Sequence, residues 1–205
     1  EGTGYVPLPP PQDRGGMPLW GALRKRRSRR HFSGKALELE ALSQLLWATT
    51  GLSRRGSGRP QRTAPSAGSQ YPYDLYVVAN SVSGIRPGLY RYKEVEHFLE
   101  PICAGELGPA FQDACMGQEM VAAAQALFVW VAVKARLGER YGDRAYRYLF
   151  LDIGHAAENL ALSSESLSLG SCAIGAFYDT YTDAIMGLDG EEETAVYMTV
   201  VGRMR

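Results

Sequence analysis

The chain predicts an α+β fold, and three observations carry that reading. Apolar, β-prone runs at 74–80, 126–135 and 194–201 are scattered among helical stretches without the regular strand–helix alternation of a doubly wound sheet. Residues 88–92 and 97–99 read as the two arms of a hairpin. The longest helical stretch, 143–167, carries Leu149, Leu151, Ile153, Ala156, Leu160 and Leu162 on several faces, so it is apolar nearly all round and belongs in the centre or in a subunit interface.

The elements follow in order. Residues 1–16, with Pro7, Pro9, Pro10, Pro11, Gly15 and Gly16, read as an extended arm suited to wrapping a partner subunit, so an arm over 1–17 and a globular domain over 18–205 are expected. Pro18 opens a short helix through Leu19 and Leu23, and the chain leaves it as a loop from Ser28 to Phe32. Leu39, Leu42, Leu45 and Leu46 recur at three and four, which predicts an amphipathic helix over 38–49 ending near Gly51. Residues 51–70 show no periodicity and read as a loop whose small residues, Ala67 and Gly68, let backbone approach a flat ligand. A helical connection over 109–124 leads to the 126–135 strand, apolar throughout and so covered on both faces. A strand over 170–177, a short helix over 180–186 and the 194–201 strand complete the chain.

Composition narrows the function classes. With 205 residues, 45% apolar and 10% aromatic, the chain can bury a full core. No apolar run reaches membrane-spanning length and no cleavable signal peptide is evident, although the chain starts at Glu1, which leaves upstream processing open. Cys103, Cys115 and Cys172 form no C-x-x-C pair and are odd in number, which favours a reducing, cytoplasmic setting. His31, His97 and His155 lack metal-ligand spacing, so no metal site is expected. Neither a G-x-G-x-x-G fingerprint nor a Walker A loop nor a G-x-S-x-G elbow is present.

Against a net charge of zero, Arg24, Lys25, Arg26, Arg27, Arg29 and Arg30 crowd around one hydroxyl, Ser28. A nucleic-acid-binding face draws affinity from many phosphates and shows a net basic excess. A compact dianion, such as the terminal phosphate of a cofactor, needs only a few arginines and a hydroxyl. The run therefore reads first as a phosphate clamp, with a nucleic-acid-binding module as the alternative.

Three separated segments then fall into one pattern: 26–30 (RRSRR), 64–72 (APSAGSQYP) and 170–177 (GSCAIGAF). In order and spacing they resemble the flavin-binding segments of the FMN-dependent nitroreductase family. The stretches 39–52 (LEALSQLLWATTGL), 74–80 (DLYVVAN), 87–92 (PGLYRY), 141–147 (YGDRAYR) and 154–160 (GHAAENL) are similar to its SagB-type dehydrogenase branch. The resemblance spans roughly 18–202 and implies a mixed, mainly antiparallel sheet flanked by helices, in a homodimer whose long central helix lies at the interface.

By that resemblance Arg26, Arg27 and Ser28 would hold the FMN phosphate, with Arg30 reaching toward the pyrimidine end. Pro65, Ser66, Ala67 and Gly68 would come from the other subunit against the isoalloxazine, and Gln118 would pair with its polar edge. Ala173, Ile174, Gly175 and Ala176 would bring backbone near flavin N5, and Arg203, with Arg205, would close the phosphate end. The implied activity is hydride transfer in two half-reactions: nitro or quinone reduction with NADH or NADPH, or oxidation of peptide azolines. Azoline-oxidising members carry a Lys-Tyr pair where this chain has Arg140-Tyr141, and an arginine does not serve as an easily deprotonated base. A flavin binder without turnover is the remaining alternative. Cys172 reads as a small core residue, His155 and Asn159 as structural, and Tyr71, Tyr73, Tyr90, Tyr92 and Tyr146 as core or interface aromatics.

Overall fold

The computed structural model describes residues 4–54, 61–137 and 141–205. The elements, in chain order, are β1 (Val6–Pro7), α1 (Leu19–Lys25), α2 (Leu39–Thr50), β2 (Leu52–Arg54), β3 (Gln61–Arg62), β4 (Tyr73–Ala79), β5 (Gly88–Lys93) and β6 (Phe98–Ala104). There follow α3 (Gly108–Ala114), α4 (Met120–Ala123), β7 (Ala126–Val133), α5 (Lys134–Leu137), α6 (Ala145–Ser166), β8 (Leu169–Ile174), α7 (Asp179–Met186) and β9 (Glu193–Arg203). Seven strands form one sheet in the order β1-β6-β5-β4-β7-β9-β8, and every ladder in it is antiparallel.

Alternation along the central strands sorts the core into two layers. Leu75, Val77, Phe128, Trp130 and Val201 pack with Leu42, Leu45 and Leu46 of α2 and Leu149, Ile153 and Leu160 of α6. On the opposite face Tyr76, Val78, Leu127, Val129, Val131, Met198 and Val200 pack with Phe111, Val121 and Met186 from α3, α4 and α7. Both faces are thus covered, which explains why β7 is a continuous apolar run, and each fully buried leucine contributes about 1.5–3 kcal/mol.

The amphipathic α2, the 74–80 strand and the hairpin lie where the pattern placed them, within one or two residues at the start of each. Four segments differ. The 51–70 stretch is not all loop, because Leu52 pairs with Arg62 and Arg54 with Gln61 in a small ladder. Strand β8 stops at Ile174 rather than 177, and β7 stops at Val133 because Lys134 begins the short α5. Helix α6 buries only one side: Tyr146, Phe150 and Leu151 are each more than half exposed. Among the described residues of the arm, Val6 and Pro7 pair with Leu99 and Phe98 of the same chain, and Leu8 is buried. Among the described residues no helix is long and apolar enough to cross a membrane.

Candidate functional site

After α1 the basic run is laid along the free edge of the sheet. Ser28 forms a parallel bridge with Ser171 of β8, and the Arg29 amide donates to the Ser171 carbonyl at 2.8 Å. Further on, Ser33 N donates to Arg203 O at 2.7 Å, so the segment follows the β8–β9 corner. The run then divides by alternation. Arg29 turns inward, with Nε 4.0 Å from the buried Glu165 carboxylate, and packs against Gly170, where a Cβ would sit 2.8 Å from Arg29 Cβ. Arg26, Arg27, Ser28 and Arg30 remain exposed.

This arrangement opens a cleft of about 320 Å³ between the sheet edge and α6. Its floor is Ser171 and Ala173 of β8 with Tyr197 and Thr199 of β9, its wall is Phe150, Ile153, Gly154, Ala157, Glu158 and Ala161, and Arg26 and Ser28 form its lip. Two details mark the cleft as shaped for a ligand. The Thr199 hydroxyl is buried without a hydrogen-bond partner among the described residues, an arrangement that costs about 1–3 kcal/mol when nothing compensates it. Gly154 stands in the middle of a 22-residue helix at a cost of about 1 kcal/mol against alanine, yet a Cβ there would meet nothing within 4 Å. Burial, helped by Cys172 and Glu158, raises the Tyr197 phenol above its ordinary pKa, so it lines the cleft as a neutral hydroxyl. An anionic group flanked by a flat or extended body fits this set: a guanidinium, several hydroxyls and a wall stripped of side chains.

Beyond the cleft the chain leaves β8 through Gly175 and Ala176, both exposed, whereas the Ile174 side chain is buried in the core and only its backbone is available. Gln118 joins this end of the track, donating through Nε2 to Ala176 O at 3.2 Å and Cys115 O at 3.0 Å, so its amide oxygen is the atom left for a ligand.

Within one chain the other expected residues lie elsewhere. Arg203 points to Glu38 at the start of α2, at 3.9 Å, and is not among the residues lining the cleft; Arg205 Nε donates to Phe32 O. The 65–68 loop sits on Asp152 of α6, where Ser66 Oγ donates at 2.6 Å and Ala67 N at 3.1 Å. Tyr141 packs against Tyr148, ring centroids 4.5 Å apart and tilted by 48°, and borders the same loop through a gap shared by Ala67, Gln70, Arg136 and Asp152. Arg140 lies outside the described residues. Two groupings therefore exist in each chain: the cleft with its track to Gln118, and the loop with Tyr141.

Cys172 is a buried core residue, His155 is exposed and outside the cleft, and Tyr73, Tyr90 and Tyr92 are buried. Tyr71 stacks under the Arg62 guanidinium, and Tyr146 is exposed. Of the cleft, Ala173 and the 170–177 segment of the floor were singled out by resemblance, whereas the α6 wall and the β9 floor residues Tyr197 and Thr199 were not legible as a site. The one local signal was a glycine at 154 inside a helical pattern, followed by alanines at 157 and 161 on the same face.

The family model for the nitroreductase family matches residues 23–203. The chain is 35% identical over 185 residues to a Methanocaldococcus jannaschii protein classed as a nitroreductase, covering 90% of each. It is 27% identical over 148 residues to the trifolitoxin-processing protein of Rhizobium leguminosarum, matching 70% of this chain and 40% of that one. A crystal structure from Ralstonia eutropha, also classed as a nitroreductase, superposes with a TM-score of 0.84 at 33% identity, over 98% of this chain and 90% of the other. At 16% identity the fold alone is shared with a Desulfovibrio desulfuricans protein crystallised with FMN, with a TM-score of 0.65 over 93% of this chain and 88% of the other.

Proposed function

This chain belongs to the nitroreductase family, and from that premise we propose that it is a SagB-type, FMN-dependent oxidoreductase whose cofactor lies along the cleft and the β8 track. One observation carries the reading: Arg26 and Ser28 meet the end of β8 around an unpartnered Thr199 hydroxyl and a helix glycine whose missing side chain keeps the wall open. Arg26 and Ser28 hold the phosphate, Arg27 and Arg30 raise the local positive potential, and the Gly175 and Ala176 backbone accepts the ring without side-chain obstruction. Gln118 offers its amide oxygen to the polar ring edge. FMN, when bound, supplies hydride transfer at its N5.

The 65–68 loop and Tyr141 serve the other copy of the site. Trp20 on α1 is 79% exposed, and Phe150 and Leu151 on α6 are 55% and 52% exposed, an apolar surface that a homodimer would cover while bringing the loop over the partner's ring. Nitro or quinone reduction by NADH or NADPH needs no protein base and asks least of these residues. Azoline oxidation on a peptide is the second substrate class, supported by the relative that processes trifolitoxin; Tyr141 would act there in place of a lysine-assisted pair. Three unpaired cysteines suit a cytoplasmic setting.

Anaerobic addition of NADH or NADPH to the FMN-loaded protein, followed by a nitroarene, a quinone or an azoline peptide, tests the activity through bleaching and recovery of the flavin absorption. Recovery with one acceptor class assigns the substrate. A flavin that neither donor bleaches and no azoline peptide reduces would leave a binder without turnover.

A further inference from the structure

Asp152 is 4% exposed, a carboxylate set in the middle of α6. A buried carboxylate needs donors, and among the described residues the 65–68 loop supplies two of them. Ser66 Oγ donates to Oδ2 at 2.6 Å and Ala67 N to Oδ1 at 3.1 Å, so the two oxygens grip two consecutive residues. The grip extends further, because Tyr71 N donates to Ser66 Oγ at 2.8 Å. Between these points the backbone takes left-handed values at Gly68 (φ 59°), Ser69 (φ 54°) and Tyr71 (φ 46°). Such conformations are unfavourable for serine and tyrosine and persist only where the surroundings over-determine them. Arg136 borders the same gap but is committed to Asp74, at 2.7 and 3.2 Å, so it does not release Asp152 from the loop.

We infer that Asp152 is a positioning residue: its carboxylate fixes the Pro65–Ala67 backbone at the head of the strained 68–71 turn, and with it the flavin-facing surface beside Tyr141. The inference rests on the reading above, in which this loop lies against the isoalloxazine. Asp152 touches neither cofactor nor substrate in that reading and acts through Ser66 and Ala67. Because α6 also carries Ile153 and Gly154 on the cleft wall, one helix sets the loop of one site and the wall of another.

The test uses the FMN-loaded protein and compares wild type with Ser66→Ala, Ser66→Thr and Asp152→Asn, reading the visible circular dichroism of bound FMN, its midpoint potential and its Kd. Ser66→Ala leaves the buried carboxylate in place and so guards against a folding failure of Asp152→Asn. Expected are altered flavin dichroism in Ser66→Ala and Asp152→Asn, a Kd raised ~2- to 30-fold in both, a potential moved positive only where the charge is removed, and restoration by Ser66→Thr. A wild type that takes up no FMN would defeat the functional reading. A wild type that binds FMN, with Ser66→Ala matching it in dichroism and Kd, would defeat the positioning role alone.

Discussion

Arg26 Nε and Glu158 Oε1 face each other at 3.7 Å across the mouth of the cleft, with 39% and 52% of their side chains exposed. A carboxylate at that point competes with a phosphate for the guanidinium and repels it. Glu158→Gln is therefore expected to tighten FMN binding about two- to five-fold, the scale of an exposed pair. Flavin fluorescence quenching at low and high salt checks this; weaker binding in Glu158→Gln would mean that the carboxylate contributes to the site.

Gly154→Ala should act with opposite signs on stability and binding. A methyl group there meets nothing in the folded chain and removes the helix penalty, so the cofactor-free protein should gain up to ~1 kcal/mol. The same methyl enters the cleft, so FMN affinity should fall, and further in Gly154→Val. Thermal melts without FMN and titrations with it separate the effects.

Those residues also show what the sequence could and could not convey. Helix α2 was readable because its leucines repeat at three and four, and β7 because eight successive residues are apolar. The cleft has no such signature: Arg26, Gly154, Ala173 and Thr199 come from four segments, joined only when Ser28 bridges β8 and α6 crosses the sheet edge. The β2–β3 ladder was missed because Ser53, Arg54, Gln61 and Arg62 leave Leu52 as its one apolar residue and no alternation survives. The exposed Phe150 and Leu151 made α6 look buried on every side, since a stripe kept apolar for a partner cannot be told by composition from one kept apolar for the core.

At Gly202 the backbone admits no side chain. A Cβ would fall on Gln125 Oε1 and within 2.8 Å of Phe32 Cδ1, and Gln125 is the clamp that accepts from Arg203 N and donates to Ser33 O. Gly202→Ala is expected to destabilise by about 1–3 kcal/mol. Urea unfolding measures it, and a midpoint equal to wild type would show that the corner relaxes freely.

His97 ties the arm to the body. Ser43 Oγ donates to Pro9 O at 2.5 Å, His97 Nε2 donates to Ser43 Oγ at 2.8 Å, and Tyr92 Oη donates to Nδ1 at 2.8 Å, a set complete with neutral imidazole. Burial holds the His97 pKa below its ordinary value of 6.5. The unfolded chain therefore takes up the proton first: stability is full above that value, declines as pH falls below it, and levels off below the folded pKa. His97→Gln should lose this slope between about pH 7 and 5. Urea midpoints of both proteins across that range give the comparison, and parallel curves would remove His97 from the pH dependence.

The phosphate clamp is the centre of the functional reading, and calorimetric titration of the cofactor-free protein with FMN and with riboflavin, in wild type and Arg26→Ala, tests it most directly. FMN should bind wild type at least ~10- to 100-fold more tightly than riboflavin, the worth of a charge-assisted contact, and Arg26→Ala should erase most of that difference. Equal affinity for the two flavins, or no uptake of either, would contradict it.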